Sequence, residues 1–360
     1  RHKMSQTKVE QHLIENNAST RRNIVHNGAM VVAQKGTTGN FTTDTDMPTD
    51  RWNTNINGAG THDASLSTDV PTGEGFANSL RIQCTTAHGG IGSSGYFRLQ
   101  QKIEEQYVVP TAYGTSGAKP MVMSFWIKFV NASGDFCVDI LNLANSNNRV
   151  ISKKFTYASG SGWQQYSFVI PGDTGGNSFR NGQTGTGIYW QIFLGAGSDL
   201  TSGTLQTTWD TRVNANRAAG QTLQFGSSTS DNVYLTGCQL TLGDTLMDFE
   251  HLPCDEDEQI CFRYYFDSQY TNQAIDSTDY YLWSGDVTTS NTYYHSRDLP
   301  VSMRVAPTLS VTAQGQSRFT GTLNPDTGWS DRHKVAIASE SNSTGARGYY
   351  GYKFIADAEL

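Results

Sequence analysis

The chain has 360 residues, with 16% charged, 11% aromatic, 36 Gly and a formal net charge of -7. That length and apolar content exclude a disordered tail, and the acidic balance excludes a general phosphate-tracking nucleic-acid binder. Its longest apolar runs, such as 122-VMSFWIKFV-130, fall well short of the ~20 residues a bilayer-spanning helix needs, so no membrane insertion is expected.

In chain order, residues 5–17 come first. They carry a capping-box pattern, Thr7 followed by Glu10, with Val9, Leu13 and Ile14 at helical spacing. The pattern predicts a short N-terminal helix or extended anchor, too short to stand alone in water. Val9, Leu13 and Ile14 are therefore the candidate anchoring residues, and residues 1–23 read as an anchor plus linker. From Ile24 to Pro253 the signal is period-2 alternation between Gly, Asn, Ser, Asp and Thr clusters. Phe97, Leu99, Gln101 and Ile103 share one face of a strand, as do Met123, Phe125, Ile127 and Phe129 of another. Tyr166, Phe168 and Ile170 alternate similarly, 188-IYWQIFL-194 suits a central strand, and 233-VYLTGCQLTL-242 alternates again. Such a series predicts a jelly-roll β-sandwich over 24–253, with long loops at 36–75 and 195–231.

Composition shifts after Pro253. Residues 254–360 hold 14 acidic against 8 basic residues and 10 of the 17 tyrosines. A short helical turn is predicted at the start, then strands near 262–266, 280–283, 292–299, 308–313, 334–339 and 349–360. The expected overall class is all-β: a jelly-roll sandwich followed by a smaller, Tyr-rich, acidic C-terminal β domain over 254–360.

Motifs for catalysis are sparse. Gly90, Gly92 and Gly95 spell a nominal dinucleotide fingerprint, but a strand pattern follows where that mechanism needs a helix N-terminus. No G-x-S-x-G elbow and no H-E-x-x-H occur. His251, Cys254 and Cys261 match no common zinc spacing. The five cysteines form no CxxC pair, so free thiols and production in a reducing cytoplasm are expected, and no secretory signal opens the sequence. No catalytic residues and no enzyme activity are expected. Exposed aromatics remain as ligand candidates, because sugars stack on Trp and Tyr faces: Trp52, Trp163, Trp190, Trp209, Trp283, Trp329 and the Tyr280–Tyr281 and Tyr293–Tyr294 pairs.

The strings 23-NIVHNGAMVVAQKGTT-38, 50-DRW-52, 75-GFANSLRIQCTT-86, 115-TSGAKPMVMSFWIKF-129 and 233-VYLTGCQLTLGDTLMDFEHLP-253 stand in that order. They are followed by 261-CFRYYF-266, 300-PVSMRVAPTLSV-311 and 356-ADAEL-360. Together they resemble virion fibre or spike proteins of tailed bacteriophages, marine cyanophage-like tail or head fibres among them. The resemblance implies a carbohydrate-binding-module-like central domain in a non-enzymatic structural protein that recognises the host surface, through a glycan or another receptor. A capsid decoration protein without host ligand and a carbohydrate-active depolymerase are the alternatives. It implies a homotrimer, contacts to other virion proteins through the N-terminus, and assembly into the virion in the host cytoplasm. By the same resemblance Asn27–Gly28 lie on the first strand, and Asp231 sits where related sandwiches hold a structural Ca²⁺, with no other cofactor. The Tyr-rich C-terminal part becomes the host-facing end, with Trp283, Tyr293, Tyr294 and Trp329 as its ligand candidates.

Overall fold

The computed structural model describes residues 22–271, 274–275, 281–288 and 291–360. The predicted helix over 5–17, and with it Val9, Leu13 and Ile14, lies outside the described residues.

Alternating apolar residues set the main architecture. Thirteen strands are described before residue 250: β1 (Thr38–Phe41), β2 (Thr45–Asp46), β3 (Trp52–Asn57), β4 (Thr61–Ser67), β5 (Ser79–Thr86), β6 (Tyr96–Glu104), β7 (Met121–Val130), β8 (Gly134–Asn142), β9 (Arg149–Tyr157), β10 (Gln164–Ile170), β11 (Thr186–Ala196), β12 (Asp210–Thr211) and β13 (Asn232–Leu242). They form two antiparallel sheets, six strands ordered β1-β4-β5-β13-β7-β10 and seven ordered β12-β9-β8-β11-β6-β3-β2. The chain crosses from one sheet to the other at β1–β2, β3–β4, β5–β6, β6–β7, β7–β8, β9–β10, β10–β11 and β12–β13, which is the winding of a jelly roll. The two inner faces bury one continuous core, in which Trp52 and Trp190 meet edge to face at 5.5 Å and Phe125 from the opposite sheet reaches Trp190 at 5.9 Å.

The segments read as long loops contain more structure than their composition suggested. Residues 36–75 hold β1 to β4, and residues 195–231 hold a helical turn at Ser198–Thr201, β12 and a 3₁₀ turn at Asn214–Asn216. The strands there are short and polar; positive-φ Asn40 sits at an irregularity within β1, and Gly58 and Gly60 turn the chain between β3 and β4. Asn27–Gly28 lie in a turn before β1, not on a strand, because Asn27 adopts a left-handed φ of 51°. Gly28 has to be glycine for space: a Cβ there would stand 2.1 Å from the carbonyl oxygen of Cys238, whose amide donates to the Gly28 carbonyl at 2.9 Å.

Beyond the sandwich a helix spans Cys254–Phe262, longer than the predicted turn. The strands Tyr265–Asp267, Tyr281–Val287 and Thr308–Ser317 all pair with the long strand Gly345–Asp357. A second, three-stranded sheet joins Thr292–Asp298, Lys334–Ser341 and Phe319–Pro325, the last of which the sequence pattern did not reveal. Tyr350, Tyr352, Phe354, Val335 and Ile337 form the core of this part. The fold is all-β.

Candidate functional site

Register converts the strand alternation into a site. Phe97, Leu99, Gln101 and Ile103 of β6 point into the core, so Arg98, Gln100 and Lys102 stand on the outer face of the seven-stranded sheet. On β11 the same rule buries Ile188, Trp190 and Ile192 and turns Tyr189 and Gln191 outward. Pairing then aligns the outward residues in rungs across the strands. Asn53 of β3, Gln100, Gln191 and Asp139 of β8 form one rung; Asn55 and Arg98 begin the next, and Lys102, Tyr189 and Leu141 form a third. The loop after β12 brings Arg212, Asn214 and Arg217 over this face as a wall. Between wall and sheet lies a groove of about 420 Å³, within the usual size of small-ligand sites.

The floor is polar and fixed. The Gln191 amide donates to Gln100 Oε1, and Arg217 Nη2 donates to Gln191 Oε1. Arg217 Nε donates to Asp139 Oδ2 at 2.8 Å, and both groups are buried. Arg98 donates to Asn55 Oδ1 and lies 4.2 Å from the Tyr96 ring centre. Burial, with the facing Arg217 charge, pushes the Arg98 guanidinium down to about 10, which still leaves it protonated at neutral pH. Lys102 Nζ donates to the Leu360 carbonyl at 2.6 Å, and burial lowers its pKa as well. Such a surface offers fixed amide and guanidinium donors beside one aromatic face, Tyr189.

The aromatic candidates divide. Trp52 and Trp190 are core. Trp163 donates to Asp69 Oδ1 at 2.9 Å, and Trp209 to the Pro171 carbonyl at 2.7 Å. In the C-terminal part Trp283 stacks on Tyr350 at 5.5 Å and meets Tyr293 at 5.1 Å, and both pack on Phe319. Their rings are half-buried in an aromatic cluster. Tyr294 and Trp329 are 57% and 67% exposed. Tyr280 and the Tyr281 side chain lie outside the described residues.

Asp231 is also corrected. It is buried, and its Oδ1 accepts from Asn131 Nδ2 at 2.6 Å, while Oδ2 accepts from the amides of Gly226 and Ser228 at 3.0 and 3.2 Å. Donor hydrogens converge where a cation would stand, so this carboxylate locks the loop before β13 instead of holding Ca²⁺. Asp231→Ala is expected to cost about 1–3 kcal/mol by orphaning these donors, measured by thermal unfolding. The loss will be the same with millimolar Ca²⁺ or with a chelator.

Gly90, Gly92 and Gly95 lie in the loop from β5 to β6, as the following strand pattern implied. His251 bonds the Glu74 carbonyl at 2.9 Å, Cys254 contacts Glu258, and Cys261 is buried beside Val32 and Tyr270. All five cysteines are free thiols. No helix among the described residues is long and apolar enough to cross a membrane.

The sandwich and its sheet-face groove define a jelly-roll β-protein with a polar cleft. No protein-family profile and no curated protein matches the sequence. Among solved structures, the chain is similar to a putative sugar-binding protein of Bacteroides thetaiotaomicron, at 10% identity over 61% of this chain and 100% of the other, TM-score 0.33. It is similar to a family 11 carbohydrate-binding module of Clostridium thermocellum in complex with a mixed-linked tetrasaccharide, at 11% identity over 60% and 98%, TM-score 0.28. A third is the enzymatically active domain of bacteriophage CBA120 tailspike protein 4, at 13% identity over 61% of this chain but only 21% of the tailspike chain, TM-score 0.29.

Proposed function

We propose that this chain is a non-enzymatic component of a phage virion, a fibre or spike that recognises a host-surface glycan with the outer face of its seven-stranded sheet. The observation that carries the binding part is the groove itself. Fixed amides of Gln100, Gln191 and Asn55 line it beside the Tyr189 ring, the pairing of planar polar groups with an aromatic face that sugar hydroxyls and ring faces require. Among the described residues the groove has Asp44 in its lining and Asp139 in its floor rung, the latter tied to Arg217, whereas glycoside hydrolysis by the usual route takes two carboxylates facing the substrate. The virion assignment rests on the ordered sequence strings that resemble phage fibre proteins, and with it come the homotrimer, the N-terminal mooring and assembly in the host cytoplasm.

Glycan-array screening of the purified chain, followed by calorimetric titration of the best hit, tests the reading. Gln100→Ala combined with Gln191→Ala is expected to weaken binding about tenfold, since each lost hydrogen bond is worth roughly 0.5–1.5 kcal/mol. Binding that survives the double substitution, or no glycan hit at all, overturns the groove as reader. Release of reducing sugar ends from the hit overturns the non-enzymatic part.

A further inference from the structure

The groove has the opposite sign to the molecule. Among the described residues Arg98, Lys102, Arg212 and Arg217 line it with Asp44 as the one acid of the lining, in a chain whose net charge is -7. Asp139 neutralises Arg217 from below, which still leaves a cationic surplus. Arg98 is the informative member. It is 9% exposed, its Nη2 is held by Asn55, and its Nε is buried with no hydrogen-bond partner. A native fold rarely leaves such a donor unpaired without a use for it. Arg217 faces it, oriented by Asp139 and Gln191, so two immobilised guanidiniums share one polar cleft. Guanidinium forks match carboxylate and sulfate oxygens in geometry as well as charge.

Resting on the glycan reading above, we infer that the groove is built for an acidic saccharide, its carboxylate or sulfate ester seated at Arg98 and Arg217 with Lys102 and Arg212 at the rim. Burial depresses Arg98 most and the facing Arg217 charge adds to it; an anion that enters offsets that repulsion. A saccharide is favoured over a bare polyanion because the amide rung and Tyr189 share the floor.

The test is calorimetric titration of the full chain with tetragalacturonate, a mannuronate tetramer and a sulfated chondroitin tetrasaccharide, each beside its carboxyl-reduced or desulfated counterpart. At least one acidic member is expected to bind tenfold or more tightly than its neutral counterpart. Its affinity should fall as NaCl rises from about 50 mM to about 500 mM. Arg98→Gln should remove that preference, and Arg212→Gln, at a half-buried rim position, should weaken acidic binding several-fold with little change in the unfolding temperature. Equal binding of acidic and neutral counterparts overturns this inference and leaves the glycan groove standing. No binding of any saccharide, acidic or neutral, overturns both. Duplex DNA or polyphosphate bound as tightly as the sugars overturns the saccharide assignment.

Discussion

Glu359→Gln is expected to destabilise the protein by about 3–5 kcal/mol, because it removes one charge from a buried network and leaves its partner uncompensated. Glu359 Oε2 pairs with Arg51 Nη1, and its Oε1 accepts from Lys35 Nζ at 3.2 Å. Arg51 has a side chain only 2% exposed; it stacks on the Tyr264 ring at 3.5 Å and donates to the Lys102 carbonyl at 2.7 Å. Arg304 fastens the same chain end by donating to the carbonyls of Ala358 and Glu359 at 2.7 and 2.8 Å. The network thus joins the turn before β3 to the C-terminal segment. Burial opposes ionisation of Glu359, yet Arg51 and Lys35 outweigh it and hold the carboxyl below its usual range. A depressed folded pKa means that the stabilisation is complete above the unfolded value of about 4.3 and is lost as pH falls through the folded value. Urea unfolding at neutral pH should therefore show the full difference between wild type and Glu359→Gln, and the two curves should converge as pH falls through the depressed folded value. Equal stability at neutral pH would show that the ion pairs do not hold the chain end.

Fold and site differ in what the sequence shows of them, and register is the reason. Phe97, Leu99, Gln101 and Ile103 announce a strand and its core face because side-chain alternation is local. The same alternation in Trp52, Thr54 and Ile56 of β3 was hidden by its Asn- and Thr-rich surroundings and by the turns on either side. The groove required more. Asn55, Arg98, Gln191 and Arg217 come from distant parts of the chain, and only the pairing of β3, β6, β11 and β8 brings them onto one face. What could have flagged them is Arg98 and Lys102 alternating with core residues in 96-YFRLQQKI-103, a strand whose outer side is unusually charged in a charge-poor chain. The surroundings of Trp283 and Tyr293 were hidden for a complementary reason. A strand sequence shows that rings exist, but not that Phe319 and Tyr350 cover them.

Trp190→Ala should be as damaging, at about 3–5 kcal/mol, and should reach the groove as well. Trp190 sits mid-strand in β11, paired with Gln101 of β6 on one side and Ile140 of β8 on the other. It is fully buried, and its ring fills the space between Trp52 and Phe125. Its Nε1 has no hydrogen-bond partner, so the loss is one of packing: the neighbours come from two sheets fixed by their own ladders and cannot close over the cavity. Trp190→Phe, which refills most of the volume and removes the unpaired N–H, should recover more than half of the loss, whereas Trp329→Ala at an exposed turn should stay within about 0.5 kcal/mol of wild type. Because Tyr189 and Gln191 flank Trp190 and face the groove, any relaxation of β11 toward the cavity misplaces both. Thermal unfolding and glycan titration on the same variants should therefore move together for Trp190→Ala and recover together for Trp190→Phe. A stability loss below about 1 kcal/mol for Trp190→Ala would mean that the core collapses around the missing ring, contrary to the rigid two-sheet packing described above.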